Sequence, residues 1–130
     1  MIRGQNEQKT YVKELMRGGD GSVSFNDLLT PEEMYGKGRV YSKLTLKAGS
    51  SIGFHVHEGE MEAFYIIKGA GEADDNGEKK AVRAGDVLYT PDGTGHAIRN
   101  TGGAEDFDAL TDREKGEIED LELIALILYK

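Results

Sequence analysis

The chain has 130 residues, with 24 acidic against 16 basic side chains and a formal net charge of −8. That length suits one domain around one buried core. The acidic balance, opposed by no Lys/Arg cluster, argues against a phosphate-backbone partner and so against nucleic acid. There is no cysteine, which excludes disulfides, thiolate ligands and thiol nucleophiles.

In chain order, residues 1–9 are polar and lack the apolar core of a signal peptide. Thr10-Tyr11-Val12 reads as a first strand, residues 17–21 as a glycine-rich turn, and residues 22–29 as a second strand. Thr30, Pro31 and Glu33 then combine an N-cap, a proline suited to a first helical position and a capping-box glutamate. One turn of helix is expected over residues 30–35, stopped by Gly36 and Gly38. Residues 1–38 would form an N-terminal arm on a core of residues 39–129, within one domain over 1–130.

The stretch from Arg39 to Lys47 alternates, with Val40, Ser42, Leu44 and Leu46 on one face and charged or polar residues on the other. The cost of burying charge puts the first set inside. His55-Val56-His57 reads as strand, and alternation places both imidazoles on one side. Residues 58–61 read as a turn, and residues 62–67 as the next strand. If the two strands pair as a hairpin, Glu62 returns beside His57. Asn76-Gly77 signals a hairpin between residues 71–74 and 79–83. Residues 85–91 form a short strand stopped by Pro91, and His96 opens another over 96–100. Residues 104–120 are acidic and largely pattern-free, as in a surface loop. The closing run, Leu121–Tyr129, is apolar on both faces but too short for a membrane span and carries Glu122. A cytoplasmic protein without a membrane partner is the expectation.

Short strands, 18 glycines against two prolines and little helical periodicity imply an all-β sandwich or barrel. His55, His57 and His96 are the chain's three histidines. Together with Glu62 they make a donor set suited to one divalent first-row ion such as Mn, Fe, Co, Ni or Zn.

Two spacings then carry a family resemblance. Gly49, five residues, His55-x-His57, four residues, Glu62, six residues and Gly69 resemble the first cupin motif. Gly85, five residues, Pro91-x-Gly93, two residues, His96, three residues and Asn100 resemble the second, with fifteen residues between the motifs. The resemblance implies a double-stranded β-helix, or jelly-roll barrel, with a metal inside its wide end. Gly49, Gly69, Gly85, Gly93, Pro91 and Asn100 read as structural.

Parity turns Val40, Ser42, Leu44, Phe64, Ile66 and Ile98 inward as a cavity lining that is apolar except for a small hydroxyl. Oxalate-processing cupins resembling this chain carry an arginine three residues before the first ligand histidine, where Ile52 stands here. Nothing in the inward set would clamp a second carboxylate or a phosphate. The expectation is therefore a metal-dependent enzyme of oxygenase or isomerase type, acting on a small substrate that chelates the ion. A ligand-binding or sensing cupin is the alternative, and a decarboxylase or oxidase of a small carboxylate a second. The outer face of the last strand, with Ile124, Leu126 and Leu128, together with Tyr65 and Ile67, predicts a homodimer packed sheet to sheet.

Overall fold

A computed structural model describes residues 1–130. Its strands are β1 (Thr10–Glu14), β2 (Ser22–Asp27), β3 (Gly38–Leu46), β4 (Ser51–Val56), β5 (Glu60–Lys68), β6 (Ala70–Asp75), β7 (Glu78–Arg83), β8 (Val87–Thr90), β9 (Gly95–Arg99) and β10 (Leu121–Tyr129). They form two antiparallel sheets. One has the order β1-β2-β3-β10-β5-β8, and the other β4-β9-β6-β7. This is the expected all-β jelly roll. The sandwich closes on a core that includes Val23, Phe25, Leu44, Leu46, Ile66 and Leu123, all buried. No helix is long and apolar enough to cross a membrane.

The alternation rule works where strands are regular. On β10, Leu121, Leu123, Ala125 and Ile127 are buried while Glu122, Ile124, Leu126 and Leu128 are only half-buried. The Asn76-Gly77 hairpin joins β6 to β7, with both residues at positive φ, 52° and 99°. A two-residue turn that follows the sheet's own twist requires that geometry.

Three local expectations differ from the structure. The capping box at Thr30 forms, with the Glu33 backbone N–H donating to Thr30 Oγ1 at 3.1 Å and the Thr30 N–H to Glu33 Oε1 at 2.9 Å. No helix follows, only a run of turns over 31–36, because Tyr35 (φ 57°) and Gly36 (φ 69°) go left-handed at once. The α-helix that does form, α1 (Asp112–Gly116), lies in the segment expected to be loop, capped in the same way by Thr111 and Glu114. Finally, β4 and β5 do not pair. The Glu58-Gly59 turn carries the chain from the four-stranded sheet to the six-stranded one.

Two β-bulges set the geometry of the interior. Ile52 pairs with Ile98 and His55 with His96, so β4 advances three residues while β9 advances two. Counting in twos from His55 would turn Ile52 outward, yet it is buried at 1 % exposure. The extra residue falls at Gly53-Phe54. On β3, Val40 pairs with Ile127 and Gly38 with Leu128, leaving Arg39 as the inserted residue. A bulge re-aims the side chains around it, and Arg39 consequently joins Val40 at the interior instead of opposing it.

Candidate metal centre and its cavity

The two sheets meet at His55, His57, Glu62 and His96. Cross-strand pairing sets His55 of β4 opposite His96 of β9, and His57 follows just beyond the end of β4. Glu62 comes from β5 on the facing sheet, paired with Thr90 of β8. Glu62 thus reaches His57 across the barrel, not along a hairpin. The four ligating atoms lie within 4.8 Å of one another, so the group could hold a metal ion.

The outer ring nitrogens are all engaged. His55 Nδ1 donates to the Gly53 carbonyl at 2.8 Å, a contact supplied by the β4 bulge. His57 Nδ1 meets Glu60 Oε1 at 2.8 Å, and His96 Nδ1 meets Thr90 Oγ1 at 2.7 Å. Glu60 is in turn gripped by both arms of Arg39, each at 2.7 Å. Phe64 stacks on the His96 ring, with centroids 4.7 Å apart.

With every Nδ1 held outward, the three Nε2 atoms converge. His96 Nε2 lies 3.2 Å from both His57 Nε2 and His55 Nε2, and Glu62 Oε1 lies 2.9 Å from His57 Nε2 and His96 Nε2. Three nitrogens and a carboxylate aimed at one point in a buried place make a poor hydrogen-bond network and a good cation cradle. The residues present therefore fit a divalent ion.

The electrostatics agree. Burial pushes His55 down to about 4, so its ring is neutral and free to donate an electron pair at pH 7. The hydrogen bond to Glu62 raises His57 above the ordinary histidine value, against the effect of burial. Burial alone would push Glu62 up, but hydrogen bonds from His57 and His96 outweigh it and keep the carboxyl below its usual range. Arg39 holds Glu60 at about 2. A buried carboxylate that stays ionised calls for a positive partner.

A cavity of about 510 Å³ opens onto His55, His57 and Glu62. Of the expected lining, Val40 and Leu44 are present, while Ser42, Phe64, Ile66 and Ile98 do not line this cavity. Ser42 is turned to Asp27, which accepts from its hydroxyl at 2.7 Å. Phe64 is covered by His96, and Ile66 and Ile98 are buried in the core. In their place, Tyr11, Lys13, Glu14, Leu15, Met16 and Arg17 supply one wall. Arg39 also reaches the cavity. The lining therefore carries three cationic side chains, and with Arg39 paired to Glu60, Lys13 and Arg17 correct the expectation that nothing there could meet a second carboxylate. Alternation within a strand could not bring a separate N-terminal segment over the barrel mouth. A hint lay in Arg17-Gly18-Gly19, since a Cβ on Gly19 would lie 2.3 Å from the Ser51 carbonyl oxygen, so that only glycine allows the turn so close to β4.

The cupin domain family matches residues 42–110, and this chain belongs to it. An oxalate-binding protein of Thermotoga maritima is 46% identical over 90 residues, 69% of this chain and 74% of the relative. A crystal structure from the same organism, described as a predicted oxalate decarboxylase, superposes with a TM-score of 0.84 at 37% identity and covers 100% of both chains. KdgF from Halomonas sp. shares the fold at a TM-score of 0.60 and 18% identity, over 92% of this chain and 86% of that one.

Proposed function

We propose that the protein holds one divalent transition-metal ion through His55, His57, Glu62 and His96, and that its ligand is a small carboxylate that chelates the ion. The observation that carries this reading is the convergence of three Nε2 atoms whose rings are each fixed from behind. Lys13 and Arg17 in the cavity lining move the expected ligand from a neutral enol or catechol to an anion. Oxalate is the first compound to test, because a relative at 46% identity is named for binding it.

A bound ion would supply Lewis-acid polarisation of a carboxylate or carbonyl oxygen. The chain's own contribution is to keep His55 neutral, to keep Glu62 ionised, and to orient His57 through Glu60 and Arg39. Turnover and simple binding separate experimentally by release of carbon dioxide and formate from the metal-loaded protein.

The test begins with metal analysis, where close to one ion per chain is expected. His55→Ala with His57→Ala is expected to abolish uptake. Protein that takes up none of Mn, Fe, Co, Ni or Zn would remove the site, and metal-loaded protein indifferent to oxalate and to 2-oxo acids would remove the ligand.

A further inference from the structure

The cavity has room well beyond what oxalate would fill. Its roughly 510 Å³ falls among pockets of about 300–1,000 Å³ that enclose drug-sized ligands, whereas oxalate is two carbons and four oxygens. Its polarity is also uneven. The ligating end is His55, His57 and Glu62, while Tyr11, Met16, Phe25, Val40, Leu44 and Ile127 make an apolar wall. Oxalate offers that wall nothing to bury.

We propose that the ligand is a 2-oxo or 2-hydroxy acid with an apolar body of several carbons, and that the Tyr11–Arg17 segment is the element that selects it. The inference rests on the metal site and carboxylate chemistry proposed above. The acid's two adjacent oxygens form the chelating head, which leaves the body pointing to the apolar wall. Tyr11 stacks on Phe25 with ring centroids 4.9 Å apart, presenting a flat aromatic surface. Lys13 and Arg17 line the same cavity with Glu14 and Glu62, and with Glu62 committed to the ion only Glu14 opposes them. On a chain with a net charge of −8, that local positive excess is what allows an organic anion to approach.

The backbone of the selecting segment supplies an independent sign. Leu15 (φ 47°) and Arg17 (φ 55°) are both left-handed without being glycine, and they flank Met16, which packs against the core. Such conformations cost free energy and gather at ligand clamps. Here they carry the chain sharply over the cavity, so that Leu15, Met16 and Arg17 all line it.

Calorimetric titration of metal-loaded protein with oxalate, pyruvate and phenylpyruvate tests this. Phenylpyruvate is expected to bind at least tenfold more tightly than pyruvate, which has the same head and almost no body. Met16→Ala, and separately the more exposed Leu15→Ala, are expected to shrink that ratio at least threefold. Equal affinity for pyruvate and phenylpyruvate, or binding of oxalate alone, would overturn the inference and leave the carboxylate reading standing. Failure of all three acids to bind protein that carries its metal would overturn both. The wild-type ratio decides the question even if a variant does not fold.

Discussion

At the scale of single residues, the site is built by what stands behind each ligand. Glu60 touches His57 and Arg39 at once and is itself buried at 8 % exposure. Its charge makes the His57 ring a stronger donor, and Arg39 keeps that charge in place. Glu60→Gln preserves the shape and an acceptor but removes the charge. Loss of such a supporting partner typically lowers metal affinity by about 10–100-fold, and the lower end is expected here because the hydrogen bond survives. Competition against a chelator measures it. Affinity unchanged within a factor of two would show that Glu60 serves only to neutralise Arg39. The convergence of His55, His57, Glu62 and His96 was legible in the sequence because alternation and motif spacing are local. Glu60 and Thr90 were not, because neither a glutamate in a turn nor a threonine at a strand end carries a mark of its partner.

At the scale of elements, the bulge in β4 links the N-terminal turn to the candidate metal centre. A Cβ on Gly53 would lie 2.1 Å from the Arg17 carbonyl oxygen, a backbone atom that cannot step aside alone. Gly53→Ala is therefore expected to displace residues 16–19 and the carbonyl that holds His55, lowering the melting temperature and metal affinity together. Retention of both would mean that the turn is free to move. A second link ties the arm to the turn after β2, where Arg3 donates to Glu33 Oε2 at 2.7 Å. That hydrogen bond holds Glu33 at about 2, below its ordinary 4.5. A lowered carboxyl contributes stability above its unfolded value and loses it as pH falls toward the folded one. Urea midpoints of Glu33→Gln should thus fall below wild type at pH 6 and converge with it near pH 2; a gap that stayed constant with pH would rule out the charge. Regular strands such as β10 were legible because burial alternates along them. The bulges were not, since each inserts one residue and reverses parity beyond it, and so Arg39 was assigned to the wrong face.

At the scale of the whole molecule, the outer surface of the six-stranded sheet is open over β5 and β8. Tyr41, Leu126, Ala63 and Tyr89 run side by side across β3, β10, β5 and β8, and beside them run Lys43, Ile124, Tyr65 and Val87. Tyr65, Val87 and Tyr89 are 48 %, 62 % and 57 % exposed. β1 and β2 extend this sheet at its edge and do not lie over it. Residues 104–120 are pinned elsewhere, through Phe107 packed near Gly49 and beneath Arg99. Monomers seldom leave contiguous apolar patches open, and a face of this kind is satisfied most simply by its own copy across a two-fold axis. Fully burying an aliphatic side chain contributes about 1.5–3 kcal/mol. Ile124, Leu126 and Leu128 are already largely buried, so each adds at most about a third of that, and the exposed aromatic rings add more. Light scattering at micromolar concentration is expected to give twice the 14.2 kDa of one chain. Leu126→Asp places a charge at the middle of the face, while its neighbours Ala125 and Ile127 stay turned inward. It is expected to yield a monomer that keeps its metal, whereas a wild-type protein with the mass of a single chain would overturn the dimer.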